Sequence, residues 1–407
     1  MSTPRKLPSL SRRLVERRAS SAEKNSPVPV IGLEAEFTLY VDDVKQRPED
    51  IFGTAQKFVR QKMLPRKGRS FQLPVGGAVY FDTGVIEVAT PIIEIEAGCS
   101  ARAGRTLWEQ IEFVRGELDA WEVAHQQRLR LEGFSTHYNV SVPVDRALSP
   151  YRLHQAARML TYLLHPPVML LAANKLSTGI GVRPRGDRLE VTADFTPDPD
   201  LMIATTSLVT GIILAVLEWP VHSIAEMKRR GLPIIAGFSP CKHTSRKGFL
   251  ARHFCFPRNP FTSDVNEPDW RLVDGRQRSL RQIALEIAEP FREAICAVTD
   301  NDAFTHVFEV LSGRARSLLD FPTRPTRYED AGHHIEWNRR THRTLPRSRY
   351  EQVIHRILTH RPIRIGSAVY DPERMIGWHA IAFRHRRTGR RRTFTLDELA
   401  LQGVIET

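Results

Sequence analysis

The sequence predicts an α+β fold, a mostly antiparallel curved sheet with a carboxylate-lined concave face and helices packed on the other face. Three observations predict it. Strand-like segments fall in clusters rather than in a regular βαβ rhythm. Several of them alternate, with a period of two, between apolar residues and acidic or hydrogen-bonding ones. Between them run stretches with apolar residues three and four apart, the spacing of an amphipathic helix.

Residues 1–27, rich in Ser, Pro and Arg, read as a disordered basic arm. Ordered structure begins at "VPVIGLEAEF". A helix is expected over "PEDIFGTAQKFVRQKM", with Pro and two acids at its start. Short strands follow at "SFQLP", "AVYFD" and "VIEVAT", separated by Gly76, Gly77 and Gly84. From Arg105 to about Arg130, Leu107, Trp108, Ile111, Val114, Leu118, Trp121 and Ala124 make one apolar helix face, which Gly133 is expected to end. "FSTHYNVSVP" and "DRLEVTADF" read as strands, and "LHQAARMLTYLLHPPVMLLAA" as helical. "DPDLMIATTSLVTGIILAVLEW" reads as a helix with Asp198 as its cap and Pro199 at its first position. The expected organisation is therefore a sheet domain over 28–220, a helical or irregular insertion or continuation over 221–345, and a basic C-terminal region over 346–407. Within the middle part, helices are expected at "RQRSLRQIALEIAEPFREAICAV" and "AFTHVFEVLS".

The 407 residues, 41% hydrophobic and 26% charged, have the composition of a soluble globular protein. The longest apolar stretch, Leu208 to Trp219, is interrupted by Thr210, Gly211 and Glu218, too short and polar to span a bilayer. No membrane association is expected. Without a signal-peptide pattern or a disulfide framework among its four cysteines, the expected location is cytoplasmic. The net charge of +13, concentrated in "PRKLPSLSRRLVERR" and "RHRRTGRRR", favours acidic partners or simply makes solvated tails. No helix-turn-helix, zinc-finger or RNA-binding signature accompanies it, which argues against nucleic-acid binding as the main role.

The informative feature is the front of the predicted sheet. "VIGLEAEFTLYV" sends Ile31, Leu33, Ala35, Phe37 and Leu39 to one face and Glu34 and Glu36 to the other. Tyr80 and Asp82 share a face, Glu87 sits among apolar residues, and Glu94 and Glu96 lie just beyond. His137 and Asn139 project together, as do Arg188, Glu190, Thr192 and Asp194. A solvated sheet face is commonly charged, but such faces mix signs, and these fronts contain no lysine. Clustered carboxylates raise one another's pKa unless something cationic neutralises them. Oxygen ligands with one imidazole and no thiolate suit Mg²⁺ or Mn²⁺, and metal-bound phosphate makes ATP the leading ligand. No GxxxxGK[ST], HExxH or GxSxG stretch is present, so any ATP binds on a sheet rather than on a P-loop.

"GLEAEFTLY", "IEVATP", "THYNVS" and "RLEVTADFTPDPDLMIA", in that order, resemble the glutamine synthetase / glutamate–cysteine ligase superfamily of carboxylate–amine ligases. "GGAVYFDTGVIEVATP" is most similar to the Pup ligase and Pup deamidase branch, and the region after it also resembles the YbdK-type glutamate–cysteine ligases. The resemblance covers residues 29 to about 220. It implies metal ligation by Glu34, Glu36, Glu87, His137 and Glu190, nucleotide contacts from Arg188, Tyr80 and Asn139, and a catalytic base at Asp82 that deprotonates an amine or activates water. The implied activity is ATP- and Mg²⁺-dependent amide or isopeptide formation through an acyl phosphate, on an amino acid, a peptide or a small acidic protein. A deamidase or amidohydrolase of the same superfamily is the alternative. One departure stands out: many members have an Arg two positions beyond the late Glu, and here Thr192 occupies it. Phosphate contacts must then come from elsewhere, such as "HHIEWNRRTHR".

Cys241, His243, His253 and Cys255 form a mirror-image C-x-H, H-x-C pattern that two hairpin strands could gather around zinc. Its spacing is atypical, and packed or solvated side chains are the preferred reading.

Overall fold

The computed structural model describes residues 28–142, 148–243, 248–320, 347–359 and 362–404. The N-terminal arm and the stretch "HHIEWNRRTHR" lie outside them. The chain opens with β1 (Val30–Val41), β2 (Val44–Gln46) and a short helix α1 (Pro48–Phe52). Next come β3 (Leu64–Pro65), β4 (Phe71–Gln72), β5 (Ala78–Asp82), β6 (Val85–Ala89) and β7 (Ile93–Glu94). Helix α2 (Cys99–His125) leads to β8 (Leu129–Ser141), helix α3 (Pro150–Ala172), and the hairpin β9 (Ile180–Pro184) and β10 (Arg188–Asp194). Helices α4 (Pro199–Leu217) and α5 (Ile224–Arg229) precede β11 (Cys241–Lys242), β12 (Phe249–Ala251), β13 (Trp270–Arg271) and β14 (Gln277–Arg278). Helices α6 (Leu280–Ala288), α7 (Arg292–Cys296) and α8 (Asn301–Ser312) follow. The last unit is α9 (Arg349–Leu358), β15 (Ile363–Ile365), β16 (Ala368–Ile376), β17 (Ala380–His385), β18 (Arg391–Thr395) and α10 (Leu396–Leu401).

Twelve strands form the main sheet, in the order β11-β12-β9-β10-β8-β1-β6-β5-β4-β3, with β2 and β7 on β1. Every strand pair among the described residues is antiparallel. The apolar back of β1 (Ile31, Leu33, Phe37, Leu39) is buried in one continuous core with α2, α3, α4, α6 and α8, which runs from Ile31 to Leu319. Residues 221–320 thus share the core of the sheet domain. Phe195 links sheet to helix, its ring 5.0 Å from Phe37 and 6.1 Å from Trp108. Helix α4 is long and apolar enough to cross a membrane but is a buried core helix. Asp198 caps it as expected, accepting from Asp200 N at 2.8 Å.

Three local expectations are corrected. The helix expected over residues 48–63 stops at Phe52, because Gly53 takes a positive φ of 66° and only a 3₁₀ turn over Ala55–Lys57 follows. Helix α2 begins at Cys99 and ends at His125, capped by Gln126 with a φ of 55°, not at Gly133. Gly133 lies inside β8 at a bulge, where β1 Glu36 pairs with Ser135 but Phe37 pairs with Gly133, leaving Phe134 extra. A Cβ at Gly133 would meet the Phe195 ring at 2.3 Å, so the position admits no side chain. The stretch 276–298 is divided: Ser279 and Gln282 form a capping box for α6, and Pro290 sits in the 3₁₀ turn that separates α6 from α7.

The C-terminal unit packs its own core around Tyr350, Ile357, Phe383 and Phe394. The "RHRRTGRRR" run belongs to its hairpin β17–β18 and is no loose tail: Arg384 and Arg391 pair with Glu373, and Arg386 with Asp371. Buried Glu94 of β7 docks this unit, accepting from Arg349 Nε at 3.2 Å and Tyr350 N at 3.2 Å.

Candidate functional site

Strand register decides which front residues meet. Glu34 of β1 stands opposite His137 of β8 on one side and Ala89 of β6 on the other. Glu36 stands opposite Ser135 and Glu87, and Glu87 in turn opposite Tyr80 of β5. Glu190 of β10 pairs with Asn139, and Thr192 with His137. Directly opposed residues share a face, so four neighbouring strands deliver all five expected ligands to one patch. They form two groups, Glu34–His137–Glu190 and Glu36–Glu87–His137, whose donor atoms lie within 4.8 Å of one another in each.

Within the patch His137 Nδ1 faces Glu34 Oε2 at 3.2 Å and its Nε2 faces Glu36 Oε1 at 3.7 Å. Ser135 Oγ donates to Glu36 Oε2 at 2.6 Å, and the Tyr80 hydroxyl donates to Glu87 Oε1 at 2.7 Å. Burial, together with the charges on Glu34 and Glu36, pushes the Glu87 carboxyl up to about 10. Burial also works against ionised Glu34, but the hydrogen bond and charge of His137, the hydrogen bond from Glu87 and the Arg188 charge hold it down at about 2. His137 is opposed by burial yet raised above its ordinary value by Glu34, Glu36 and Glu190. Glu190, wholly buried, is paired by Arg183 and by Arg185 Nε at 2.7 Å. The guanidinium groups of Arg183 and Arg185, with the His137 ring whose pKa the carboxylates raise, thus stand among four carboxylates. Those positive charges stand where a divalent cation would act, and an all-oxygen set with one imidazole fits Mg²⁺ or Mn²⁺.

Two hollows flank the patch. One, of about 210 Å³, is lined by Leu33, Glu34, Ile92, Asn139, Arg188 and Trp378, with His379 beside them. Arg188 Nε donates to Asn139 Oδ1 at 2.8 Å, so these two expected contacts act as a pair. Trp378, from the β16–β17 turn, stacks on the Arg66 guanidinium at 3.9 Å. Burial lowers Arg66 to about 10, against the pull of Tyr80 and Glu34. The other hollow, of about 430 Å³ and open to solvent, is lined by Glu36, Asp50, Asp82, Lys45, Arg47 and Phe134. Asp82 lies two residues beyond Tyr80 on the same face, outside both ligand groups, and accepts from Thr83 Oγ1 at 2.7 Å.

Five residues of the site escaped sequence reading. Arg183 and Arg185 come from β9 and the turn after it and supply guanidinium groups that Thr192 does not; the alternating Arg-Pro-Arg before β10 was the available signal. Gly181 stands opposite Thr192, and a Cβ there would meet Thr192 Oγ1 at 2.4 Å. Arg66 and Trp378 arrive from distant segments that no local pattern connects. The zinc pattern is not assembled: among the described residues Cys241, His243, His253 and Cys255 form no group that could share one ion.

No protein-family model and no curated protein sequence matches the chain. Among solved structures it is similar to the crystal structure of the complex between Prokaryotic Ubiquitin-like Protein Pup and its ligase PafA, with 13% identity over 91% of this chain and 88% of that one, at a TM-score of 0.48.

Proposed function

We propose that this chain is an ATP-dependent carboxylate–amine ligase of the glutamine synthetase-like superfamily, nearest the Pup ligase branch. The carrying observation is the convergence of Glu34, Glu36, Glu87, His137 and Glu190 into two donor groups that share one imidazole. Two divalent cations held by these residues would supply charge neutralisation for phosphoryl transfer. Arg188 and Asn139 orient the nucleotide in the smaller hollow, and Trp378 with Arg66 closes it from above. Arg183 and Arg185 stand ready to meet phosphate oxygens in place of the missing arginine at 192. The γ-phosphate passes to a substrate carboxylate, giving an acyl phosphate whose leaving group is phosphate rather than hydroxide. The amine enters through the open hollow, and the Asp82 carboxylate takes its proton as the C–N bond forms.

In a hydrolytic variant of the same site Asp82 would activate water against an amide, which is the second reading. The exposed Arg386, Arg387, Arg390 and Arg392 of the β17–β18 hairpin favour an acidic peptide or small acidic protein as the carboxylate substrate. Thermal-shift measurement with ATP tests the proposal: a shift only with Mg²⁺ or Mn²⁺ is expected. A metal-independent shift, or none, rejects it. Phosphate release that depends on an added amine separates ligase from deamidase.

A further inference from the structure

Strands β11 and β12 form the outer edge of the main sheet, away from the carboxylate patch, and carry two cysteines that the proposed reaction does not use. Cys241, in β11, pairs with Leu250 of β12 and directs its Sγ to the Leu250 carbonyl at 3.6 Å. Cys255, in the 3₁₀ turn after β12, directs its own Sγ to the same carbonyl at 3.5 Å. One oxygen atom thus gathers two thiols that lie fourteen positions apart in the sequence. The backbone fixes them further: Ser239 N donates to Cys255 O at 3.0 Å, tying the chain just before Cys241 to the turn that carries its neighbour. Burial, with the Cys255 thiol beside it, pushes the Cys241 thiol up to about 11, so its thiolate forms chiefly at alkaline pH. Cys241 is half-buried and Cys255 buried, so a reagent in solvent reaches the first and not the second. The other two cysteines, buried Cys99 and exposed Cys296, belong to helices α2 and α7.

We infer that Cys241 and Cys255 are a reversible dithiol–disulfide site, oxidised by a low-molecular-mass disulfide. Cys241 thiolate attacks one sulfur of the reagent, forming a mixed disulfide and releasing one thiol. Cys255 thiolate then attacks the Cys241 sulfur, expels the second thiol and closes the protein disulfide. Two protein thiols are oxidised and one reagent disulfide is reduced to two thiols. The bond needs sulfurs about 2.05 Å apart, and both sulfurs already lie within 3.6 Å of one carbonyl oxygen. Closure pins the hairpin that leans on the site's arginine, since a Cβ on Gly248 would meet Arg183 Cγ at 2.7 Å.

The test incubates the full chain with glutathione disulfide, alkylates remaining thiols and maps peptides by mass. Expected are two alkylated cysteines instead of four, a peptide joining residues 241 and 255, and a melting temperature raised by a few degrees that dithiothreitol returns to its starting value. Cys241→Ser and Cys255→Ser should each abolish the shift. If Cys255→Ser fails to fold, the wild-type peptide map still decides the matter. Glutathione found only on Cys296, or a joined peptide formed only in denaturant, overturns the inference.

Discussion

The two hollows on either side of the carboxylate patch are built from opposite materials. Around Arg188 the wall is apolar and aromatic, with cations placed at its edge and a cap contributed by the C-terminal unit. Around Asp82 the wall is open, charged with both signs (Glu36, Asp50 and Asp82 beside Lys45 and Arg47), and made entirely from residues 36–134. The difference teaches that one sheet face can present two kinds of wall, divided by a carboxylate pair of which Glu34 lines the apolar hollow and Glu36 the charged one.

The largest expected effect comes from removing the divider. Glu34→Gln and Glu36→Gln should each weaken Mn²⁺-dependent nucleotide binding by at least about 100-fold, since outer partners of a metal ligand alone are worth 10–100-fold. Calorimetry with and without Mn²⁺ measures it, and unchanged thermal unfolding of the apo variants shows that the fold survives. Retained binding in either variant would leave the two hollows without a metal between them.

Asp82→Asn comes next and acts on one side only. Amide formation should fall by roughly 10²- to 10⁴-fold, the usual worth of a positioned base. Nucleotide affinity should stay within twofold, because Asp82 lies outside both donor groups. Equal losses in affinity and turnover would make Asp82 a metal ligand and merge the hollows into one site.

A smaller, paired effect sharpens the contrast. Trp378→Ala should raise the nucleotide Kd about fivefold, the scale of a lost cation–π or stacking contact near 1 kcal/mol, and leave the KM for amine unchanged. Phe134→Ala should do the reverse. Steady-state kinetics with each substrate varied in turn would show whether the two walls act separately.

The smallest effect is a pH dependence confined to the cap. Burial, with the Arg188 charge, lowers the His379 pKa below 6.5, against the pull of Asp187 and Asp397. A histidine whose folded pKa is depressed contributes stability that is fully present above pH 6.5 and is lost as pH falls below it. Between pH 7 and pH 5.5 the wild type should therefore lose roughly 1–2 °C more in melting temperature than His379→Gln. An identical loss in the two proteins would mean that protonation of this turn does not loosen the cap.

The patch was legible in the sequence because the strands obey a period of two. Glu34/Glu36, Tyr80/Asp82, His137/Asn139 and Arg188/Glu190 each announce a shared face without knowledge of any partner strand. Lateral order is not encoded locally, so the opposition of Glu36 to Glu87, or of Glu190 to Arg183, emerged only from the register. The ends of elements were read less well. Gly133 looked like a helix stop because glycine ends helices more often than it makes room for a phenylalanine ring; its cause, Phe195, lies 62 residues away. Trp378 was invisible for the same reason: its partner Arg66 lies in the β3–β4 turn, 312 residues earlier in the chain.

The bulge in β8 has a consequence for how this protein can vary. Below it Leu129 and Leu131 face the core; above it Tyr138 and Val140 do, so the odd positions point inward in one half and the even positions in the other. Phe134 is the half-step that keeps the two halves in phase. Deleting it would turn one half over, sending His137 into the core or Leu131 out to the front. The same ring also forms a wall of the Asp82 hollow. A lineage can trade Phe134 for another residue and so retune what enters there, but it cannot drop the position. Substitution is open to it at this point, and a change of length is closed.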